Sequence, residues 1–423
     1  MERANIIQNP IQNPIQNVVR HVVRHVKQAL VAAVWLSFLT LPIMVIRVDT
    51  VEKTVTWRWM HLAYMAVGSF VLALAWYAMM ERRNKSQAKK ELETVERVSA
   101  LAGMLADPRI TRPLMAFGLL VAVAFPWFFS LYQTNILVSA LIYVVLGLGL
   151  NITVGLAGLL DLGYVAFYAV GAYTYALLNH HFHLGFWAVL PLGAVMGAFF
   201  GILLGFPVLR LRGDYLAIVT LGFGQIIRLV LENWSAFSYG PSGISNIDRP
   251  GLFGISYSVE QATTYMYYIM LALVLLTIFV TARLKDSRIG RAWLALREDE
   301  IACQAMGIDN TRAKLMAFSL GATLAALMGV VFAAKTTFIN PASFTFMESA
   351  MILAIVVLGG MGSVLGVILG AFLLMLLPEY LRAFSEYRML IFGATMVLIM
   401  VFRPEGLVRA KRKVYTINVE AAG

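Results

Sequence analysis

Residues 265–334 read YMYYIMLALVLLTIFVTA, then RLKDSRIGRAWLALREDEIACQAMGIDNTRAK, then LMAFSLGATLAALMGVVFAA. Two apolar runs flank a polar segment, Arg283–Lys314, whose own pattern is still helical, with Trp293, Leu294, Leu296, Ile301 and Met306 recurring among its charges. A run of about 20 apolar residues matches the roughly 30 Å hydrocarbon core of a bilayer. Within that core only helices or closed barrels satisfy every backbone polar group. The stretch predicts an all-α polytopic membrane protein, with a charged helix held between two spans as a handle for a soluble partner.

Composition agrees along the whole chain. The 423 residues are 60% hydrophobic and 13% charged, whereas soluble domains carry about a quarter charged residues. Spans are expected at Gln28–Ile46, Trp59–Met80, Pro113–Leu131, Ile136–Ala157, Asp161–Leu178, Phe186–Leu209, Tyr215–Leu231, Tyr265–Ala282, Leu315–Ala334 and Met389–Phe402. Between the last two, Glu348–Leu377 is broken by Gly359, Gly360 and Gly362, and reads as a re-entrant helix that enters, breaks and returns. The first apolar run lacks a small-residue cleavage site and reads as retained. The chain thus divides into an N-terminal arm (1–27), a two-span module with a charged linker (28–112), a core of residues 113–402 containing the segment 283–314, and a basic tail (403–423). In the arm, I-Q-N repeats interrupted by Pro10 and Pro14 precede VVRHVVRHVK, which places Arg20 and Arg24 on one face of a membrane-surface helix.

Charge orients this arrangement. With the N-terminus inside, only Arg47, Lys53, Arg58, Arg249, Lys335, Arg382 and Arg388 of the 34 Lys and Arg fall outside, and Arg228 lies within a span. Basic residues collect on cytoplasmic loops, so both termini and the polar segment are expected in the cytoplasm of a plasma (inner) membrane protein. The net charge of +11 is then a consequence of topology and membrane lipid, and implies no nucleic acid.

Several chemistries are excluded. No Gly-Lys dipeptide occurs, so there is no Walker A loop; the chain is not expected to hydrolyse ATP or act as an enzyme. Cys303 is the single cysteine, which excludes an intrachain disulfide and a multi-cysteine metal site. His180, His181 and His183 share a short outer loop and read as interfacial residues, so no metal or other cofactor is expected. Arg228 and Glu232, four apart, read as a local ion pair. No series of mid-membrane carboxylates or histidines exists to relay protons.

Glycine placement is more informative. Gly193, Gly197, Gly201 and Gly205 form a stripe for close helix packing, within the subunit or between subunits, and Gly362, Gly366 and Gly370 repeat the device. Two glycine-rich breaks, GLAGLLDLGYVAFYAVGAY from Gly155 and VLGGMGSVLGVILGAF from Val357, share one layout: apolar run, break, helix. Paired interrupted segments in two halves of a transporter point to the substrate path. The path candidates are Gly158, Asp161, Gly163 and Gly171 in the first break, and Gly359, Gly360, Gly362 and Ser363 in the second.

Taken together, G-L-L-D-L-G…G-A-Y, SYGPSGI, SRIGRAWLALREDEIACQAMGI and VVLGGMGSVLG…LGA, in this order over roughly Pro113 to Arg412, resemble the permeases of branched-chain amino-acid ABC importers. The extra N-terminal module is similar to that of the longer, LivM-type, of the two paralogous permeases. The resemblance implies a heterodimer with the second permease, two ATP-binding cassette ATPase subunits, and a periplasmic amino-acid-binding protein. It also implies that a cytoplasmic E-A-A-x-x-x-G helix docks into the ATPase. Aligned on Gly307, this chain puts Ile301, Ala302 and Cys303 at the first three positions, with Glu300 one residue earlier than the usual glutamate. A urea or short-chain amide permease of the same superfamily is the nearest alternative; an uncoupled channel or secondary carrier is a more distant one.

Overall fold

The computed structural model describes residues 108–408, apart from 209–210, 212, 252–257, 385–386 and 404, together with parts of 27–73. The arm, its surface helix, most of the linker and the tail beyond residue 408 lie outside the described residues. The chain divides into two units, Met1–Gly118 and Leu119–Gly423.

In the first unit, β1 (Ile46–Asp49) pairs antiparallel with β2 (Thr54–Trp57), Ile46 lying opposite Trp57. β-Branched residues dominate both strands, which suits a pleated ribbon. Ile46, expected to close the span that begins at Gln28, is a strand residue. Described positions between Trp59 and Ala73 are helical.

The second unit is helical. Helix α1 (Pro108–Phe128) begins in the first unit; α2 (Leu131–Leu150) continues as a π-turn, Asn151–Leu156; then come α3 (Val165–Phe182), α4 (Phe186–Val208) and α5 (Asp214–Asn233). A two-stranded ribbon, β3 (Ile244–Ser245) with β4 (Phe338–Ile339), joins distant loops. Helices α6 (Val259–Asp286), α7 (Arg288–Glu298), α8 (Glu300–Ala305), α9 (Asn310–Thr336), α10 (Phe346–Gly359), α11 (Val364–Tyr380) and α12 (Arg388–Phe402) complete it.

Helix starts follow local capping chemistry. Ser130 and Ser258 each form a capping box with a glutamine three residues on, Gln133 and Gln261, satisfying backbone donors that a helix N-terminus leaves open. The box at Ser130 explains why α2 starts at Leu131, ahead of the span expected from Ile136: the polar Gln133, Thr134 and Asn135 are its first turn.

Among the described residues, six helical segments are long and apolar enough to cross a membrane: Leu131–Leu156, Phe186–Val208, Asp214–Asn233, Val259–Asp286, Asn310–Thr336 and Pro341–Gly359. Shorter apolar helices cover Gly118–Phe128, Val364–Tyr380 and Leu390–Phe402. The ten expected spans are not reached there. The span expected at Asp161–Leu178 is an irregular stretch followed by α3, which carries Tyr168, Tyr173, Thr174, Tyr175 and Asn179. A helix walled by protein can hold such groups where they find partners: the Tyr175 hydroxyl donates to the Asp248 carbonyl (2.8 Å) and Asn179 Nδ2 to the Asp248 carboxylate (2.9 Å).

Helix α9 is the centre of the packing, with α4 and α3 along it, while α2 packs on α6, α10 and α11. All four stripe glycines of α4 face α9. A Cβ at Gly193, Gly197, Gly201 or Gly205 would lie 2.5, 2.5, 2.8 or 2.7 Å from Val330, Ala326, Ala322 or Leu315. Gly171 of α3 meets the same Ala326 from another side, through its backbone carbonyl. Three helices converge there because each contributes a residue with almost no side chain.

Candidate functional site

The residues expected to form two separate breaks are brought together. Asn151 opens the π-turn, and its Oδ1 accepts from the backbone N–H of Gly362 (2.8 Å). Gly155, one turn on, is bare enough for the same N–H to pass; a Cβ there would lie 2.6 Å from Gly362 N. In the second break the chain turns between α10 and α11 with Gly360 at φ +112° and Gly362 at φ +83°, a backbone region closed to most side chains. Ser363 then caps α11 by accepting from Gly366 N–H (3.1 Å). The segment after α12 braces the turn: Leu407 N–H donates to Leu358 O (2.8 Å) and Val408 N–H to Gly359 O (3.1 Å).

The polar segment holds both breaks. Arg297, from α7, donates to the carbonyl of Gly155 (2.6 Å) and lays its stem over Gly158, 2.8 Å from where a Cβ would sit. Lys285, at the end of α6, donates to the carbonyl of Gly362 (2.9 Å). Breaks in a helix release carbonyls that need partners, and here two cations of the handle supply them. Gly163 and Gly171 pack elsewhere, against Thr220 of α5 and Ala326 of α9. Asp161 is fully buried; one carboxylate oxygen accepts from Gly163 N–H (3.0 Å) and the other has no hydrogen-bond partner among the described residues. The first break is also pinned to α10, since Val165 N–H donates to Ser349 Oγ (3.0 Å).

Sequence reasoning missed Asn151, Lys285 and Arg297 as site residues. Asn151 had a signal, being an amide deep in an otherwise apolar run. The two cations had none beyond membership of a charged segment.

Within that segment, buried contacts set which side chains point outward. Trp293 is fully buried and its Nε1–H donates to Ala313 O (2.8 Å), fastening α7 to α9. Asp299 caps α8 by accepting from Ile301 and Ala302 N–H (2.8 and 3.0 Å). Glu300 turns inward to Lys314, 2.7 Å away and almost wholly buried. Cys303 is buried, and its thiol pKa is raised by burial and by the Asp299 and Glu300 carboxylates. Helix α8 exposes Ile301 (66%), Ala302, Gln304 and Ala305, and just beyond it Met306 (83%) and Gly307.

His180 and His181, expected in a loop, form the last turn of α3 and pack against Tyr239, while His183 adopts the left-handed conformation that ends the helix. Arg228 and Glu232 pair at 3.3 Å.

Residues 132–400 match the family described as branched-chain amino acid transport system / permease component. The chain belongs to this permease family. The permease is 45% identical over 386 residues to the high-affinity branched-chain amino acid transport system permease protein LivM of Salmonella typhimurium, a match covering 86% of this chain and 88% of the relative. LivM of Escherichia coli matches to the same extent. The permease is also 24% identical over 286 residues to LivH of Escherichia coli, covering 63% of this chain and 90% of that one. No solved structure matches it. The family match contains both breaks, the polar segment and the glycine stripe.

Proposed function

We propose that the permease forms half of the translocation path of an ATP-driven importer for branched-chain, aliphatic amino acids in the inner membrane, with both termini cytoplasmic. The observation that carries the coupling is the double grip of the polar segment: Arg297 holds Gly155 O and Lys285 holds Gly362 O. A displacement of the polar segment, from the end of α6 through α7, is thereby delivered to both breaks. The substrate class is supported by the names of the LivM relatives, and the second permease by the more distant likeness to LivH.

In this reading two ATP-binding cassette ATPases close on outward residues of α8 and the turn after it, Ile301, Ala302, Met306 and Gly307 among them, while Glu300 and Cys303 support the helix from within. A periplasmic protein delivers the amino acid. The path runs by the two breaks, with Gly158 and Asp161 of the first and Gly359, Gly360, Gly362 and Ser363 of the second along it, and Gly163 and Gly171 holding the first break against α5 and α9. Freed backbone groups and the open oxygen of Asp161 offer polar partners to the amino acid's charged ends, which would otherwise be costly to bring out of water. The hairpin of α10 and α11 acts as the re-entrant element, alongside ten spans.

The test is leucine uptake by cells co-expressing the permease with its partner subunits, and by proteoliposomes. Uptake is expected only with both ATPases and ATP present, and replacing Gly359 and Gly360 by leucine is expected to abolish it while the complex still assembles. Transport by the permease without ATPases would instead establish an uncoupled channel or carrier.

A further inference from the structure

We infer that the end of the helical unit opposite the polar segment holds a receiving site for the carboxylate of an aliphatic amino acid, centred on Lys335 and Arg249. The inference rests on the transport reading above. The first turns of α2 and α6, the last turn of α9 and the loop before Pro250 enclose a cavity of about 360 Å³, within the range of small-molecule sites, roughly 300–1,000 Å³.

Its cations are under-partnered. Lys335 Nζ donates to Asn135 O (3.2 Å) and to Ser139 Oγ, both uncharged, and no carboxylate pairs with it among the described residues. An ammonium drawn out of water without a counter-charge is costly, and an anion completing its shell relieves that cost. Arg249, on the same cavity, is exposed and makes no hydrogen bond or ion pair among the described residues. Its planar fork matches a carboxylate through two parallel hydrogen bonds. Asn135 also lines the wall. Tyr132, also on the wall, is engaged with Glu379 and Arg382, so that carboxylate already has partners.

Apart from Thr263, the remaining wall is apolar. Val138, Ala262 and Met266 line it, giving a branched aliphatic side chain a surface to leave water against. Paired cations beside an apolar wall suit a ligand with an anionic head and a short hydrocarbon body. The amino acid's ammonium would face the open mouth, where water solvates it.

Radiolabelled leucine binding to the assembled transporter in nanodiscs, without any binding protein, tests this. Leucine should bind, leucinamide (which lacks the carboxylate) should not compete, and Lys335→Gln and Arg249→Gln should each weaken binding by about tenfold, as expected for a lost charge-assisted hydrogen bond. Arg249 is exposed, so its variant tests the site without disturbing the fold. Four results would overturn the inference: leucinamide competing as well as leucine, unchanged leucine affinity in both variants, leucine failing to displace a bound anionic lipid, or variants that lose only affinity for a periplasmic protein. Uptake is measured in parallel. Wild-type uptake without direct leucine binding overturns this site alone, whereas no wild-type uptake overturns the transport reading.

Discussion

Asn151 accepts a hydrogen bond from the backbone N–H of Gly362 at 2.8 Å, joining positions 211 residues apart. The amide stands where α2 gives way to a π-turn, and the glycine stands in the turn between α10 and α11. π-Turns inside helices concentrate at functional sites, and this one meets the second irregular element of the chain directly. The two breaks are one structural unit, gripped by Lys285 and Arg297.

Replacing Asn151 by leucine keeps the branched outline of the side chain, adds volume and removes the acceptor. A buried N–H left without a partner costs about 1–3 kcal/mol. Leucine uptake is expected to fall at least about tenfold while the complex still assembles, with a lowered thermal midpoint in detergent.

Arg297→Met and Lys285→Met keep most of each side chain's stem and remove its donors. Each is expected to uncouple the transporter: ATP hydrolysis by the assembled complex continues and uptake drops. ATPase rate and leucine uptake measured on the same preparation check this, and equal loss of both would place the residues in assembly instead.

On α8 the outward and inward residues should separate cleanly. Ile301→Asp and Met306→Asp are expected to reduce co-purification of the ATPases without lowering the permease's own stability. Glu300→Gln takes from buried Lys314 the carboxylate that lies 2.7 Å away, and is expected to lower the thermal midpoint of the permease by itself.

Cys303 is a built-in reporter. Its thiol is buried and its pKa raised, so little thiolate exists at neutral pH and maleimide labelling is expected to be slow, accelerating as pH rises. In Lys314→Met the pair that closes α8 is lost, and labelling at pH 7 is expected to become faster.

Gly197→Leu drives a side chain into Ala326 and the Ala322 carbonyl, which already lie 2.5 and 2.6 Å from a Cβ at that site. Overpacking of this kind costs about 1–3 kcal/mol or more, and expression of folded permease should fall sharply. Gly222→Ala, with nothing within 4 Å of the new Cβ, is expected to be silent in the same assay.

Apolar runs, their lengths and the bias of Lys and Arg were enough to read a helical membrane protein with a polar handle, because the bilayer leaves the backbone few alternatives. The stripe Gly193–Gly205 announced close packing for the same kind of reason, since small residues at four-residue spacing have few other uses in a span. Which helix would meet that stripe was undetermined, because any partner with matching small residues satisfies the pattern; the fold chose α9 through Ala322 and Ala326. Span counting is least direct where burial in protein replaces burial in lipid, as in α3 with its tyrosines. The site itself was half legible. Glycine breaks are local features of the chain, so both could be read directly, and the order of the motifs sufficed to suggest the family. That Asn151 would reach Gly362, and that Arg297 and Lys285 would each take a freed carbonyl, are long-range hydrogen bonds with no local signature. Only the tertiary structure decides them, because a backbone carbonyl accepts from whichever donor the fold delivers within about 3 Å.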